Sequence, residues 1–422
     1  MTSNTSPRFH YGFLIVFAIC AICMTTVTLS FNTAGIFYTP VSEELGIGTG
    51  VFGTYMTVQY LAMAISMIVG GKVLHRFDAR IVLTVCVLMV SVGLLAMSTY
   101  HALWQFYASA VIIGAANSIL LYLMVPTMID RWFKERVGFF VGLALAFTGI
   151  GAIIFNPVGG FFIENYGWRV GYLAFGLISA CVGLPCAFFI IRDRPAQKGM
   201  LRFGETLEQV EEDASPELSG FTFTQAIRTP ALYLCGLYAA MMDVGITLNY
   251  YLPSYVGTLG YEVLVTSTVA SSVMVGQMAG KLVLGWINDH SVKMGVTCAV
   301  TCGIVGIALM TFFGWVGLWV LYIGGFLFGV FFAGATVTTS LMTRGIFGSK
   351  DYARIFSVVA TVATLSSAFS SGIWGALIEL TGGYTTMLYV GMAGMLITYF
   401  IGYSALASGK RAQKKWMTDG DE

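Results

Sequence analysis

The sequence predicts an all-α polytopic membrane protein: twelve transmembrane helices in two six-helix halves, with both termini inside. Three observations predict it. Of the 422 residues, 57% are hydrophobic and only 10% are charged, whereas a soluble domain carries about 25% charged residues. Uncharged apolar stretches of roughly 20 residues or more recur along the whole chain, the length a helix needs to cross a bilayer. One long polar stretch, 192–228, interrupts them and divides the chain in two.

The first six spans are expected at 11–37, 50–71, 81–100, 103–129, 137–163 and 170–191. The first lacks the short apolar core and small-residue cleavage site of a signal peptide and is expected to be retained. The polar stretch that follows opens with RDRP (192–195) and carries an acidic run at 205–213. It reads as a cytoplasmic linker between a first half, 1–191, and a second half, 229–422, which ends in a short basic tail. The second six spans are expected at 229–254, 263–287, 295–314, 317–342, 355–378 and 385–407.

Basic residues orient the bundle. With both termini inside, Arg8, Lys72, Arg76, Arg80, Arg131, Lys134, Arg136, the linker, Lys293, Arg344, Lys350, Arg354 and the tail Lys410, Arg411, Lys414 and Lys415 are all cytoplasmic. Only Arg169 falls outside, so the positive-inside rule favours this orientation in an inner or plasma membrane. The external loops are short and carry Glu43, Glu44, Glu164, Glu262 and Glu379, which disfavours a receptor with a ligand-binding ectodomain. The two halves also echo each other. GGKVLHRFDARIVL (70–83) is matched by GKLVLGWINDHSVKMG (280–295), and the small-residue run 140–169 by 356–384. Repeated halves with a midplane site between them are typical of secondary transporters.

Other function classes find little support. The eight cysteines (20, 23, 86, 181, 186, 235, 298, 302) lie in apolar segments, where thiols act as small hydrophobes. Cys20 and Cys23 form a C-x-x-C without a second pair, so a structural role is expected. His10, His75, His101 and His290 sit at helix ends or in loops, so no metal cluster and no cofactor are expected. No nucleophile motif, phosphate loop or dinucleotide fingerprint occurs, so an enzyme is not expected. The net charge of +1 points to no nucleic-acid partner. The expected partners are the lipid bilayer, a small-molecule substrate and a coupled proton, and the protein is expected to be monomeric.

Charge inside the spans is the sharpest feature. Lys281 is the one basic residue within an expected span, and Asp243 the one acidic residue. An ionisable group at bilayer depth costs about 2.5 kcal/mol or more and marks a functional site by default.

Several motifs resemble the major facilitator superfamily over nearly the whole chain. The loop GKVLHRFDAR (71–80) is similar to its G-x-x-x-D-R-x-G-x-R signature, with His75 in place of the usual aspartate and Asp78 in place of the usual glycine. Within that superfamily, further segments resemble the oxalate/formate antiporter and monocarboxylate transporter branch. They include HYGFLIVF (10–17), GIFYTPVSEELGI (35–47), WFKERVGFFVGLALAFTGIGAIIFNPVGG (132–160), GWR (167–169), RDRP, FTFTQAIRTPALYL (221–234), IFGSKDYARIFS (346–357), and Tyr122 ten residues before Trp132. The resemblance implies the superfamily's twelve-helix fold and transport of small organic anions. It implies that Lys281 pairs with a substrate carboxylate, that Tyr122 donates to it, and that Arg76, Asp78 and Arg80 form a gating loop.

The residues suggest further candidates beside plainer readings. Lys281 could instead snorkel toward the interface. Gln277 lies one helical turn from it on the same face. Asp243 shares a face with Thr247 and Tyr250, and reads either as a proton-coupling carboxylate or as the partner of Lys281 in a salt bridge locking the seventh and eighth helices. Thr25, Thr28 and Asn32 share a face of the first span, where buried amides usually join helices. Asn249, Tyr250 and Tyr251 are placed to line or close the outer mouth. Thr336, Thr339 and Thr343 are either cavity-lining or back-bonding hydroxyls. The expectation is thus a secondary active transporter moving a mono- or dicarboxylate by alternating access, by proton symport or anion exchange. The alternatives are an exporter of larger amphipathic or aromatic compounds and a transporter-like metabolite sensor.

Overall fold

The computed structural model describes residues 10–204, 220–348 and 350–419. Arg8 and the acidic run 205–213 lie outside the described residues, as do the side chains of Lys72, His75 and Lys415. The long helices are α1 (Gly12–Leu45), α2 (Thr49–Arg76), α3 (Ala79–Met97), α4 (Leu103–Trp132), α5 (Val137–Tyr166) and α6 (Trp168–Ile190). After the polar stretch come α7 (Pro230–Tyr250), α8 (Val263–His290), α9 (Val292–Phe313), α10 (Leu318–Phe347), α11 (Tyr352–Thr381) and α12 (Tyr384–Asp419). Among the described residues, eleven helices are long and apolar enough to cross a membrane. The expected second span, 50–71, falls within the 28-residue α2, which is not one of those eleven.

Helix ends follow local chemistry. The Asp78 carboxylate caps α3 by accepting from the Arg80 amide at 2.8 Å. Gly167, at φ 82°, turns the chain between α5 and α6 in a conformation open to glycine. Among the described residues, three helices also carry π turns: Cys23–Val27 in α1, Ser118–Leu123 in α4, and both Ser179–Gly183 and Cys186–Ile190 in α6. A π turn frees a carbonyl from the regular ladder, and polar side chains must satisfy it. Thr28 does so in α1, its hydroxyl donating to the Cys23 carbonyl at 2.8 Å and reaching the Thr148 carbonyl of α5 at 3.0 Å. Ser179 of α6 donates to Thr26 of α1 and exchanges a bond with Ser91 of α3.

Helices α1 to α6 pack mainly on one another, as do α7 to α12; α5 on α8 and α2 on α11 join the two groups. Glycine makes the closest of these contacts possible. A Cβ on Gly50 of α2 would collide with the Gly375 carbonyl of α11, and one on Gly151 of α5 with the Met24 carbonyl of α1. The threonines of α10 are partly accounted for within their own helix. Thr336 and Thr343 return their hydroxyls to the carbonyls of Ala333 and Thr339.

Candidate functional site: a polar layer under an aromatic plug

The hydrogen bonds and ring contacts found to join the two helix groups among the described residues lie from the middle of the bundle to the end away from the chain termini. Thr39 donates to Ser254, Thr49 meets Tyr384, Leu264 donates to Glu164, and Ser371 donates to the Gly53 carbonyl. Aromatic rings fill the centre of this seal. Tyr38 lies against Tyr250 and Tyr251, Phe31 meets Tyr60 and Tyr250 edge-on, and the Tyr60 and Tyr250 hydroxyls are 3.1 Å apart. Tyr250 and Tyr251 therefore lie in the contact between the two groups at this end. Asn249 is buried beside them, and its Oδ1 has no hydrogen-bond partner among the described residues.

Beneath the plug lie the two lone charges, and the structure separates them. Asp243 accepts a 3.0 Å hydrogen bond from Ser367 of α11. One turn on, Thr247 bonds Ser370, and Tyr251 donates to the Ser371 carbonyl, so α7 and α11 are joined by a polar zipper. Across the group boundary, the Asp243 carboxylate is within electrostatic reach of Tyr60 of α2 and Tyr122 of α4. Tyr122 lies in the π turn of α4, its hydroxyl beside Thr364 of α11, yet it is 38% exposed. A half-open phenol between the two groups marks an accessible space at this depth.

Lys281 has different neighbours. Its ammonium is within electrostatic reach of Cys23, the first residue of the π turn in α1. Gln277, one turn away on α8, lies over Gly149 of α5, and its Oε1 has no partner among the described residues. Ser271 of α8 donates to the Ile153 carbonyl of α5. The expected Asp243–Lys281 salt bridge is therefore not formed. Among the described residues, no ion pair or hydrogen bond to Lys281 is found. The reason is packing: α7 lies against α11 and α12, while α8 lies against α10 and α5. Neighbours in sequence are not neighbours across this wall.

The remaining candidates lie further off. Asn32 donates to the Thr148 carbonyl at 3.2 Å, tying α1 to α5, and Thr25 returns its hydroxyl to Ala21. At the start of α3, Arg80 donates to the Phe188 carbonyl of α6 at 2.6 Å, with its guanidinium 4.2 Å from the Phe188 ring. Arg76 is exposed and lies over the ring of its neighbour Phe77. The ion pair near this loop joins Arg131 of α4 to Asp193, which also accepts from the Ala79 amide. Cys23, Tyr60, Thr364 and Ser367 belong to the central layer, but no residue pattern distinguished them. A tyrosine or serine in an apolar run looks the same facing a cavity or a neighbouring helix.

Residues 20–299 match the profile of the Major Facilitator Superfamily. The chain is 24% identical over 289 residues to the glucose-6-phosphate exchanger SLC37A2 of Xenopus tropicalis, a match covering 59% of this chain and 57% of that protein. It thus spans little more than half the length of that relative. A longer match, 22% identical over 412 residues, is to monocarboxylate transporter 4 of Gallus gallus, covering 93% of this chain and 82% of that one. Among solved structures, the fold is similar to that of the nucleoside transporter NupG, with TM-score 0.75 and 10% identity, covering 93% of this chain and 99% of that one. The chain belongs to the Major Facilitator Superfamily of membrane transporters.

Proposed function

We propose that the chain is a secondary active transporter that moves a small organic anion, a mono- or dicarboxylate, by alternating access. One observation carries this reading: Lys281 is an ammonium in the middle of an apolar bundle, at the boundary between helix groups, with no anionic partner among the described residues. An isolated buried charge is unfavourable unless paired, so a site that keeps one is suited to receiving its partner from outside. The names of two relatives, a glucose-6-phosphate exchanger and a monocarboxylate transporter, support an anionic substrate. Substrate binds Lys281, with Tyr122 and Gln277 as polar neighbours and Asn32 holding α1 against α5. Tyr250 and Asn249 belong to the seal above.

In this reading the chain has twelve spans, with the halves 1–191 and 229–422 as two rocking bodies joined by the linker 192–228. Both termini are cytoplasmic, and the protein is a monomer of the inner or plasma membrane. The seal at the far end and the open Tyr122 then correspond to an inward-open state. Arg76, Asp78 and Arg80 act when the opposite end closes. Transport is coupled to a proton or to a counter-anion. The test is a thermal-shift panel of mono-, di- and aromatic carboxylates on the purified protein, followed by uptake of each hit into proteoliposomes. Stabilisation by carboxylates with uptake supports the reading. Uptake of uncharged or cationic compounds alone overturns it.

A further inference from the structure

Asp243 and Lys281 both project from the second helix group toward the first, but they meet different residues there. Asp243 is near Tyr60 and Tyr122, and Lys281 is near Cys23. Ser367 supports the carboxylate with one hydrogen bond, and the two charges form no ion pair with each other. A bundle that needed only an anion site would gain nothing from this carboxylate. A bound monocarboxylate would satisfy Lys281 and leave Asp243 as a second negative charge in the same weakly screened space, where like charges repel strongly. Uptake of a proton removes that conflict, and so does a ligand that brings its own positive charge.

The surroundings of Asp243 favour the second solution. The Tyr60 and Tyr122 hydroxyls are within electrostatic reach of the carboxylate, and Phe31 packs edge-on against Tyr60 at 5.3 Å. An ammonium placed there meets the carboxylate directly and donates to the phenol oxygens, which accept as well as donate. Lys281 has no ring contact among the described residues and presents a compact ammonium suited to a carboxylate.

We propose that the substrate is zwitterionic, with its carboxylate on Lys281 and a protonated amine on Asp243 beside Tyr60 and Tyr122. This rests on the reading of Lys281 as the carboxylate anchor. A zwitterion neutralises both walls at once, and the loaded site then carries no net charge through the conformational change. The amine and carboxylate belong at opposite ends of a short spacer, as in ω-amino acids, because the fixed charges do not touch.

The experiment compares matched ligands on the purified full chain by isothermal titration and thermal shift. The series is 4-aminobutyrate, 5-aminovalerate and 6-aminohexanoate, each set against its des-amino carboxylate and its decarboxylated amine. Wild type should bind at least one ω-amino acid about ten-fold more tightly than the matching carboxylate, with the plain amine weaker still. Asp243→Asn should reverse that preference, weakening the amino acid and tightening the des-amino carboxylate once the like charge is gone. Lys281→Gln should weaken both carboxylate-bearing series. If the des-amino carboxylates bind wild type as well as or better than every amino acid, the zwitterion proposal is wrong, while sensitivity to Lys281→Gln keeps the anion site. If carboxylates bind wild type and Lys281→Gln equally, or bind neither, the anion reading itself falls. The wild-type comparison decides the proposal even if Asp243→Asn fails to fold.

Discussion

The two walls of the central space handle buried charge in opposite ways. On the α7–α11 wall, Asp243 is supported by Ser367 and belongs to a ladder of polar contacts that continues through Thr247, Ser370 and Tyr251 to the plug. On the α8 wall, Lys281 is followed one turn away by Gln277, whose Oε1 is also unpaired, against the glycine-bearing face of α5. One wall steadies its charge with a hydroxyl of the protein, and the other gives its charge no hydrogen-bond partner among the described residues. The contrast separates a carboxylate held in place for a ligand from an ammonium that a ligand alone pairs.

The largest effect should come from the unmet wall. Lys281→Gln should lower carboxylate affinity about 100-fold, or ~2.7 kcal/mol, measured by titration. Unchanged affinity would return Lys281 to the snorkelling reading. Next is the seal. Gly50→Leu puts a side chain where the Gly375 carbonyl of α11 lies, so uptake should fall about 30-fold because the far end cannot close. Spin-label distances across that end should lengthen, and a variant with wild-type distances would remove glycine contact as the basis of closure.

A third measurement tests the comparison itself. Because Lys281 has no ion-pair or hydrogen-bond partner among the described residues, Lys281→Met should stabilise the empty protein by ~1–3 kcal/mol, in keeping with the burial cost of a lone ammonium. A double-mutant cycle with Asp243→Asn should give a coupling of about 1 kcal/mol, the attraction of two charges across a shared space without contact. Coupling of several kcal/mol would restore the salt bridge and merge the two walls. Tyr250→Phe should have a smaller effect. It removes the bond to Tyr60, worth ~1 kcal/mol, and should shift the balance of open and closed forms about five-fold by accessibility labelling. The smallest effect is expected from Arg76→Ala. In this state Arg76 contacts only its neighbour's ring among the contacts described. Thermal stability should move by less than ~0.5 kcal/mol, as for an exposed surface residue, while transport slows if Arg76 acts when the opposite end closes.

Much of the architecture was legible in the sequence because it depends on local composition. Apolar stretches of bilayer length placed the helices, since a backbone in lipid must satisfy its own hydrogen bonds within each segment. Asp243 and Lys281 stood out because charge is costly there, whatever the packing. The loop motif and the segments around it likewise led to the superfamily now matched by residues 20–299. These signals belong to single segments and need no knowledge of which helix touches which.

Only the tertiary structure decided how those segments meet. Consecutive numbering suggested that the seventh and eighth helices could pair their charges, yet α7 packs on α11 and α8 on α5. The π turns that carry Tyr122 and Cys23, the latter within electrostatic reach of Lys281, had no mark in the sequence. The hydroxyls at these turns also reach other helices, Thr28 to the Thr148 carbonyl of α5 and Ser179 to Ser91 of α3. Serines and tyrosines gained their places in the same way, since a hydroxyl can return to its own helix or reach across a boundary at similar energetic gain. The sequence by itself determined that this chain would be a helical membrane bundle with one cation and one anion inside it. Which neighbours would meet those charges depended on side chains far apart in the chain, and only packing brings such residues together.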